Sequence, residues 1–227
     1  MATVTPSCRL PKSGPSRSGQ RAFAPRLVIM VKEPRAGQVK TRLAADIGAA
    51  AATAAYRAMM SCLINRLSRD PRWATVLAVS PDLALSSRML PSNGARMAQG
   101  RGDLGARLHR AFEMAAPGPV VVIGSDSPAI VPDDIAEAFR MLRGCDAVFG
   151  PSHDGGYWLV GMRRRPRLAH AFAQVRWSTP LALADTKRNL RGLNVLDTRV
   201  HGDIDDGRDL ASMRALVGRR IVGVSYR

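Results

Sequence analysis

Short apolar runs along the chain alternate with longer segments in which apolar residues recur at helical spacing. The runs LVIMV (27–31), ATVLAVS (74–80) and PVVVIG (119–124) predict strands, and the first and third are apolar enough to be buried on both faces. Apolar residues three to five positions apart from Leu43 to Leu67 predict one long helix, and a similar pattern over 103–116 predicts a second.

The second half of the chain continues this alternation with shorter elements. Pro132 is followed by two acids, which predicts a helix start, because proline and acidic side chains suit the first helical turn. The other predicted elements are strands at AVFG (147–150), YWLVG (157–161) and GLNVL (192–196), a helix at LADTKRNL (183–190), and a last helix after Asp206. The alternation predicts a single α/β domain over residues 26–217, with a mostly parallel sheet and helices on both faces.

The two ends of the chain differ in composition from the predicted domain. Residues 1–25 are rich in Ser, Pro, Gly and Arg and contain no acid, which predicts a disordered basic tail. An organelle-targeting segment and an overextended start are the alternative interpretations of this stretch. Residues 218–227 are predicted to form a short C-terminal tail.

A formal net charge of +16 raises nucleic acid as a partner. The excess is arginine spread over the chain, without interleaved aromatic residues or a nucleic-acid-binding motif, so a basic surface that attracts phosphate ligands is the favoured explanation. No apolar run approaches the roughly 18 residues of a membrane span, so none is predicted. Three widely separated cysteines without paired spacing suit a reducing compartment, which predicts a cytoplasmic protein.

A basic loop follows the first predicted strand. The segment KEPRAGQVKTRL (32–43) places Lys32, Arg35, Lys40 and Arg42 around Gly37. A glycine lets backbone amides approach an anion, and the N-terminus of the helix that follows favours negative charge. The pattern fits a phosphate-binding loop and a solvated basic loop equally well, and it lacks the spacing of a Walker A motif.

Two acidic loops complement the basic one. GSDSPAI (124–130) brings Asp126 to the carboxyl edge of the sheet, where it could hold Mg²⁺ or cap a turn before Pro128. In HGDIDDGRDL (201–210), four acids beginning at Asp203 could cap the last helix or supply a second metal carboxylate. One basic and two acidic loops in an otherwise basic chain together suit a metal-bound polyphosphate.

Six motifs occur in an order that resembles a family of GT-A-type transferases. They are KEPRAGQVKTRL, QGRGDLGARL, GSDSPAI, GPSHDGGYWLVG, VRWSTP and DIDDGRDL. The family is glycosyltransferase-like, belongs to the nucleotide-diphosphosugar transferase superfamily and is allied to 2-phospho-lactate guanylyltransferase. The resemblance spans about residues 27–213 and implies a GT-A or nucleotidyltransferase-like Rossmannoid fold, with nucleotide bound over the N-terminal half of the sheet.

The resemblance also implies roles for individual residues. Lys40 and Arg42 correspond to the basic signature that meets the nucleotide phosphates, and Gly37 would allow close approach. Lys32, which belongs to the same basic loop, is predicted from its place in that loop to bind these phosphates as well. Asp126 matches the metal-bearing aspartate of the family, and Asp205 falls where related enzymes place a second ligand for Mg²⁺ or Mn²⁺.

The GPSHDGGYWLVG stretch (150–161) is either a corner between two strands or a recognition loop on the acceptor side. In the second interpretation Asp154 accepts hydrogen bonds from the acceptor and serves catalysis with Lys40 and Asp126, while Gly155 and Gly156 let backbone amides approach the substrate. Trp177 either walls the acceptor pocket or closes over the sheet.

The expected reaction is Mg²⁺-dependent nucleotidyl transfer from an NTP to a small phosphorylated or hydroxyl acceptor. Glycosyl transfer from an NDP-sugar is the alternative, and a nucleic-acid-binding or catalytically inactive nucleotide-binding protein is the alternative of a different class. The chain departs from many sugar nucleotidyltransferases in lacking a G-x-G-x-R signature. It also carries one acid in GSDSP, where sugar-transferring GT-A enzymes commonly show a D-x-D pair.

Overall fold

Seven strands form one sheet in the computed structural model, which describes residues 24–115, 117–163, 170–202 and 207. The strands are β1 (Arg26–Lys32), β2 (Ala74–Ser80), β3 (Ala95–Ala98), β4 (Val120–Ile123), β5 (Ala147–Pro151), β6 (Tyr157–Met162) and β7 (Val195–Asp197). Their order in the sheet is β3-β2-β1-β4-β6-β5-β7. Only the pairs that β6 makes, with β4 and with β5, are antiparallel, so the predicted mostly parallel sheet is confirmed.

Five α-helices accompany the sheet in the described residues. They are α1 (Thr41–Ile47), α2 (Ala49–Leu67), α3 (Leu104–Met114), α4 (Pro132–Met141) and α5 (Ala182–Asn189), and a short 3₁₀ helix spans Asp82–Ser86. The Asp103 side chain accepts a hydrogen bond from the Ala106 amide at 2.8 Å and so caps the start of α3. No helix in these parts of the chain is long and apolar enough to cross a membrane.

The core has two layers, one on each face of the sheet. On one face, Leu27 and Ile29 of β1 pack with apolar residues of α2 and α4, whereas Val28 faces the opposite layer with Phe112 of α3. Successive residues of β1 therefore point to opposite layers and both sets are buried. This explains why the run reads as continuously apolar, and it confirms helices on both faces.

The predicted single helix over 43–67 is wrong, because the chain breaks at Gly48. This glycine has φ 85° and ψ 151°, so α1 ends before it and α2 begins after it. Apolar spacing continues across the break because both helices pack against the same layer, so periodicity alone could not reveal it. The short strand β3 was not predicted either, since its four residues show little apolar contrast.

The remaining predicted elements are present, with β7 shorter than expected and α5 of the expected length but one residue earlier in the chain. The predicted last helix after Asp206 and most of both predicted tails lie outside the described residues. The domain limits at 26 and 217 stay predictions.

Sheet topology brings several loops to one edge. The carboxyl ends of β1, β2, β3 and β4 share that edge because these strands are parallel. Strand β6 runs the other way, and its register pairs Leu159 with Ile123, so the loop at 152–156 that precedes it reaches the same edge. The basic loop, the Asp126 loop and the Asp154 loop are thus neighbours.

Candidate active site

An ion pair between Lys40 and Asp126 lies at the centre of this edge. The Lys40 ammonium is 3.0 Å from Asp126 Oδ2, although the two residues are 86 positions apart in the chain. The Lys40 side chain is 7% exposed, whereas that of Asp126 is 37% exposed. Lys40 has a left-handed backbone, with φ 47° and ψ 51°, where the basic loop turns into α1. That turn aims its side chain at the Asp126 loop.

Two clefts meet at this pair. The first cleft, about 550 Å³, lies over the ends of β1 and β2 and is lined by Lys32, Tyr56, Gln99, Leu104 and Arg107, among others. The second cleft, about 490 Å³, lies on the other side and is lined by Arg42, Asp154, Ser178, Thr179 and Pro180. Lys40, Thr41 and Asp126 line both. A molecule in one cleft would therefore meet a molecule in the other at the ion pair.

The far end of the first cleft is a fixed polar network. The buried Gln99 amide donates to the carbonyl oxygens of Val31 and Ala78, at 3.0 and 2.8 Å, which leaves its Oε1 to accept from Arg107 at 3.2 Å. Arg107 also donates to Ser80 Oγ at 3.1 Å, so its guanidinium is held at the rim of the cleft. Sequence reasoning missed Gln99 and Arg107 as site residues, although both belong to the QGRGDLGARL motif.

Tyr56 lies beneath the first cleft, with its hydroxyl between the end of β1 and the Asp126 loop. It is 4% exposed and its oxygen lies 3.0 Å from Ser125 Oγ. Burial raises the pKa of the Tyr56 phenol, so the group stays protonated and can donate a hydrogen bond. No sequence pattern indicates this role, because Tyr56 is one more position on a predicted helix.

The predicted phosphate-binding residues divide between the clefts. Lys32 and Lys40 line the first, whereas Arg42 lines the second. Gly37 has φ 75° and open space where a side chain would be, but it lines neither of these clefts. The contact of these residues with nucleotide phosphates stays a prediction.

Two loops pack together to form a wall of the second cleft. Gly155 has φ 82°, and a Cβ added there would lie 2.6 Å from Pro180 Cα. The Leu183 amide donates to Gly155 O at 3.1 Å, which fastens the Asp154 loop to the start of α5. The Gly155 and Gly156 amides donate within their own loop, to Ser152 O and to Asp154 Oδ1. Close packing explains the first glycine, and contact of the pair with a substrate stays a prediction.

A buried aspartate anchors the segment that carries Ser178, Thr179 and Pro180. Asp185 of α5 accepts hydrogen bonds from the guanidinium of Arg176 at 2.8 Å on each oxygen, and from the Arg176 amide at 3.2 Å. These bonds, followed by the charges of Arg176 and Arg188, hold the pKa of Asp185 well below its usual range. The charged pair therefore fixes one side of the second cleft.

Trp177 is half-buried and packs over the sheet. Its ring lies 6.4 Å from that of Tyr157 in an edge-on arrangement, and a Cβ at Gly105 would come within 3.1 Å of it. It is not among the residues that line the two clefts. Closing over the sheet is the role that these contacts support, and a role against the acceptor stays a prediction.

The oxygen groups near Asp126 suit a hard cation that completes its coordination shell with oxygen atoms of a bound substrate. Carboxylate oxygens of Asp126 and Asp154 and hydroxyls of Thr41 and Thr179 line the second cleft. In the described parts of the chain no three His, Cys, Asp or Glu side chains come together, so these residues alone do not form a closed cage. Mg²⁺ commonly takes one or two carboxylates and completes its shell with phosphates and water, so the residues fit this ion. Asp205 lies outside the described residues.

A protein family and a protein of known activity are similar to this chain. The family described as an uncharacterised protein conserved in bacteria (DUF2064) matches residues 63–179, just over half of the 227-residue chain. A 2-phospho-L-lactate guanylyltransferase from Methanopyrus kandleri is 28% identical over 187 residues, which cover 82% of this chain and 90% of that protein.

Solved structures share the fold. A candidate nucleotide-diphospho-sugar transferase from Desulfovibrio desulfuricans G20 matches with a TM-score of 0.78 and 26% identity, over 87% of this chain and 89% of that one. The 4-diphosphocytidyl-2C-methyl-D-erythritol synthase of Anaerococcus prevotii matches with a TM-score of 0.59 over 90% of this chain and all of that one. At 10% identity the second likeness shows the fold alone.

Proposed function

The chain belongs to the DUF2064 family, and we propose that it is a nucleotide-dependent transferase that moves a nucleotidyl group from an NTP to a small acceptor. One observation carries this proposal: two clefts of comparable size share a lysine–aspartate pair. A transfer between two substrates needs both of them at one point, with charge stabilisation there. The guanylyltransferase relative supports nucleotidyl transfer as the reaction class.

The first cleft suits the nucleotide. Its walls include the apolar side chains of Val39 and Leu104, which can pack against a base, and Arg107 offers donors at the far end. Lys40 lies where the two clefts meet, and Lys32 also lines the first cleft, so their charges can neutralise phosphate oxygens. In this orientation the α-phosphorus lies near the ion pair that separates the clefts.

The second cleft suits a small polar acceptor. Ser178, Thr179 and Asp154 offer hydroxyl and carboxylate groups, Arg42 offers positive charge, and Pro180 is the main apolar contribution. Hydroxyls and charges of this kind bind phosphorylated or hydroxylated compounds better than flat apolar ones. We therefore propose that Asp154 orients the acceptor.

In the proposed reaction an acceptor oxygen forms a bond to the α-phosphorus and the bond to the leaving pyrophosphate breaks. A phosphate acceptor is already ionised at neutral pH, so it needs no strong protein base. The Lys40 ammonium stabilises negative charge that develops on the transferred group. Mg²⁺ or Mn²⁺, when bound, would add electrostatic stabilisation, with Asp126 and, by the family resemblance, Asp205 as its protein ligands.

Glycosyl transfer is the second candidate, because the Desulfovibrio relative is described as a candidate nucleotide-diphospho-sugar transferase. In that reaction the sugar carbon is attacked and a nucleoside diphosphate leaves. Both reactions require Asp126 and both clefts. They differ in the donor and in the leaving group.

A thermal-shift screen of NTPs against NDP-sugars, with and without Mg²⁺, separates the two reactions. We expect NTPs, with GTP as the first to test, to raise the melting temperature in the presence of Mg²⁺, and product analysis to find pyrophosphate. Stabilisation by NDP-sugars alone, with release of nucleoside diphosphate, would refute nucleotidyl transfer.

Asp126→Asn should remove the Mg²⁺-dependent part of the NTP stabilisation. Asp70→Asn is the matched control, because Asp70 pairs with Arg72 and lines neither cleft. If Asp126→Asn behaves like this control, Asp126 does not belong to the site.

A further inference from the structure

Helix α2 lies next to the loop that carries Asp126 and touches it at two places. The loop runs from Gly124 to Val131, between β4 and α4. Tyr56 contacts its beginning and Arg66 contacts its end, 69 and 62 positions away in the chain. Both contacts are hydrogen bonds, one with a side-chain hydroxyl of the loop and the other with its backbone carbonyl oxygens.

The Tyr56 hydroxyl joins the loop to the end of β1. Its oxygen lies 3.0 Å from the Lys32 amide, 3.2 Å from Lys32 O and 3.0 Å from Ser125 Oγ. A phenol has one proton to donate, so one arrangement satisfies all three contacts: Tyr56 donates to Lys32 O and accepts from the Lys32 amide and from the Ser125 hydroxyl. Ser125 is buried and directly precedes Asp126. The hydroxyl therefore fixes the backbone next to the carboxylate.

Arg66 fixes the other end of the loop. Its Nη1 donates to the carbonyl oxygens of Pro128 and Ile130, both at 2.9 Å. Backbone carbonyls in a loop need partners when they are withdrawn from water, and one guanidinium satisfies two of them here. Ile130 is fully buried, so the carbonyls cannot turn to solvent without disturbing the core.

Among the described residues, few contacts hold the Asp126 side chain itself in place. Its carboxylate pairs with Lys40, and a Cβ at Gly124 would lie 2.8 Å from Asp126 Oδ1, so the side chain folds back over this glycine. A cation at Asp126 must compete with Lys40 for the carboxylate. If the loop is ordered before the cation arrives, less binding free energy is spent on ordering it.

We propose that Tyr56 and Arg66 are positioning residues that hold the Asp126 loop in the conformation that binds the cation. This inference rests on the proposed function only in that Asp126 is taken to be the cation ligand. The proposal gives α2 a role in supporting the cation site. Neither residue indicates this role from its position alone, because Tyr56 is an ordinary buried helix residue and Arg66 an ordinary half-buried one.

Mn²⁺ binding to the protein alone, followed by electron paramagnetic resonance, tests the proposal without nucleotide or turnover. We expect Tyr56→Phe and Arg66→Lys each to weaken Mn²⁺ binding about tenfold, the lower end of what partners of metal ligands contribute. Hydrogen exchange of the amides in 124–131 should become faster in both variants, with little change elsewhere.

The matched controls are Tyr157→Phe and Arg96→Lys. Tyr157 also carries a buried hydroxyl, and Arg96 also donates to backbone carbonyls, those of Leu85, Ser87, Leu90 and Pro91. Neither residue lines the two clefts, so both controls should bind Mn²⁺ as the wild type does.

The proposal is overturned if both α2 variants keep wild-type Mn²⁺ affinity, if the controls lose as much, or if the wild type binds no Mn²⁺. Failure of the proposed reaction gives a different result. In that case Mn²⁺ binds and responds to the α2 variants, while NTPs neither stabilise the protein nor release pyrophosphate.

Discussion

Replacing Gly155 with alanine tests whether the wall of the second cleft depends on close packing between two loops. Gly155 has φ 82°, and a Cβ there would meet the Pro180 backbone, with Pro180 Cα at 2.6 Å and Pro180 O closer still. Backbone atoms cannot move aside as a flexible side chain can. The Asp154 loop must therefore shift away from Pro180, and the Leu183–Gly155 hydrogen bond at 3.1 Å is weakened with it.

The expected cost has two parts. An alanine in a left-handed conformation costs roughly 1–2 kcal/mol, and forcing an extra carbon into a packed contact costs a further 1–3 kcal/mol or so. The free energy of unfolding should therefore fall by about 2–5 kcal/mol. Gly192 supplies the control, because it has φ 89° with no atom within 4 Å of an added Cβ, so Gly192→Ala carries the first cost alone.

Thermal and urea unfolding of the two variants measure the difference. We expect Gly155→Ala to be less stable than Gly192→Ala by about 1–3 kcal/mol, which corresponds to roughly 2–12 °C for a domain of this size. Turnover should also fall in Gly155→Ala, while Mg²⁺-dependent NTP stabilisation persists, because the first cleft does not contain this loop. Equal stability of the two variants would refute the packing argument.

Three further predictions concern single side chains. Asp154→Ala should keep NTP stabilisation but lower turnover about tenfold or more, because a charged hydrogen bond to the acceptor is lost. Normal turnover would mean that this loop has a structural role only. Arg107→Ala should weaken NTP binding about tenfold, measured by calorimetry, and leave Mn²⁺ affinity unchanged; equal loss of both would place Arg107 at the cation instead. Asp185 has a lowered pKa in the folded state, so its pairing with Arg176 stabilises the fold above pH ~4 and is lost as the pH falls through the folded-state pKa. The stability difference between wild type and Asp185→Asn, followed by thermal unfolding, should therefore narrow below pH ~4, and a constant difference would contradict this.

The sequence predicted best those elements that burial of apolar residues alone determines. The strands β1 and β4 are buried on both faces, so the apolar runs LVIMV and PVVVIG carried the whole signal. The break at Gly48 was not predicted, because apolar periodicity shows which face of a helix is buried and not whether the helix is continuous. Strand β3 was not predicted, because an edge strand of four residues buries too few side chains to require an alternating apolar pattern.

The candidate site shows the same division. The residue types of the basic and acidic loops, and their places after strands, predicted basic groups and Asp126 at the carboxyl edge, because parallel strands bring their ends together, and the family resemblance singled out Lys40. That the two side chains pair at 3.0 Å and divide two clefts depends on how α1 turns at Lys40. Gln99 and Arg107 became visible as a network only once β1, β2 and β3 were side by side.

The sequence by itself therefore determined the class of fold and the chemistry available at one edge of the sheet, since both follow from local patterns of apolar, basic and acidic residues. The tertiary structure decided which groups share a cleft, which glycine is required by its neighbour, and which helix side chains support the Asp126 loop. Those relations join residues that are far apart in the chain, such as Tyr56 and Ser125 or Gly155 and Pro180. Distances between such residues are set by packing against common neighbours, which no local pattern encodes.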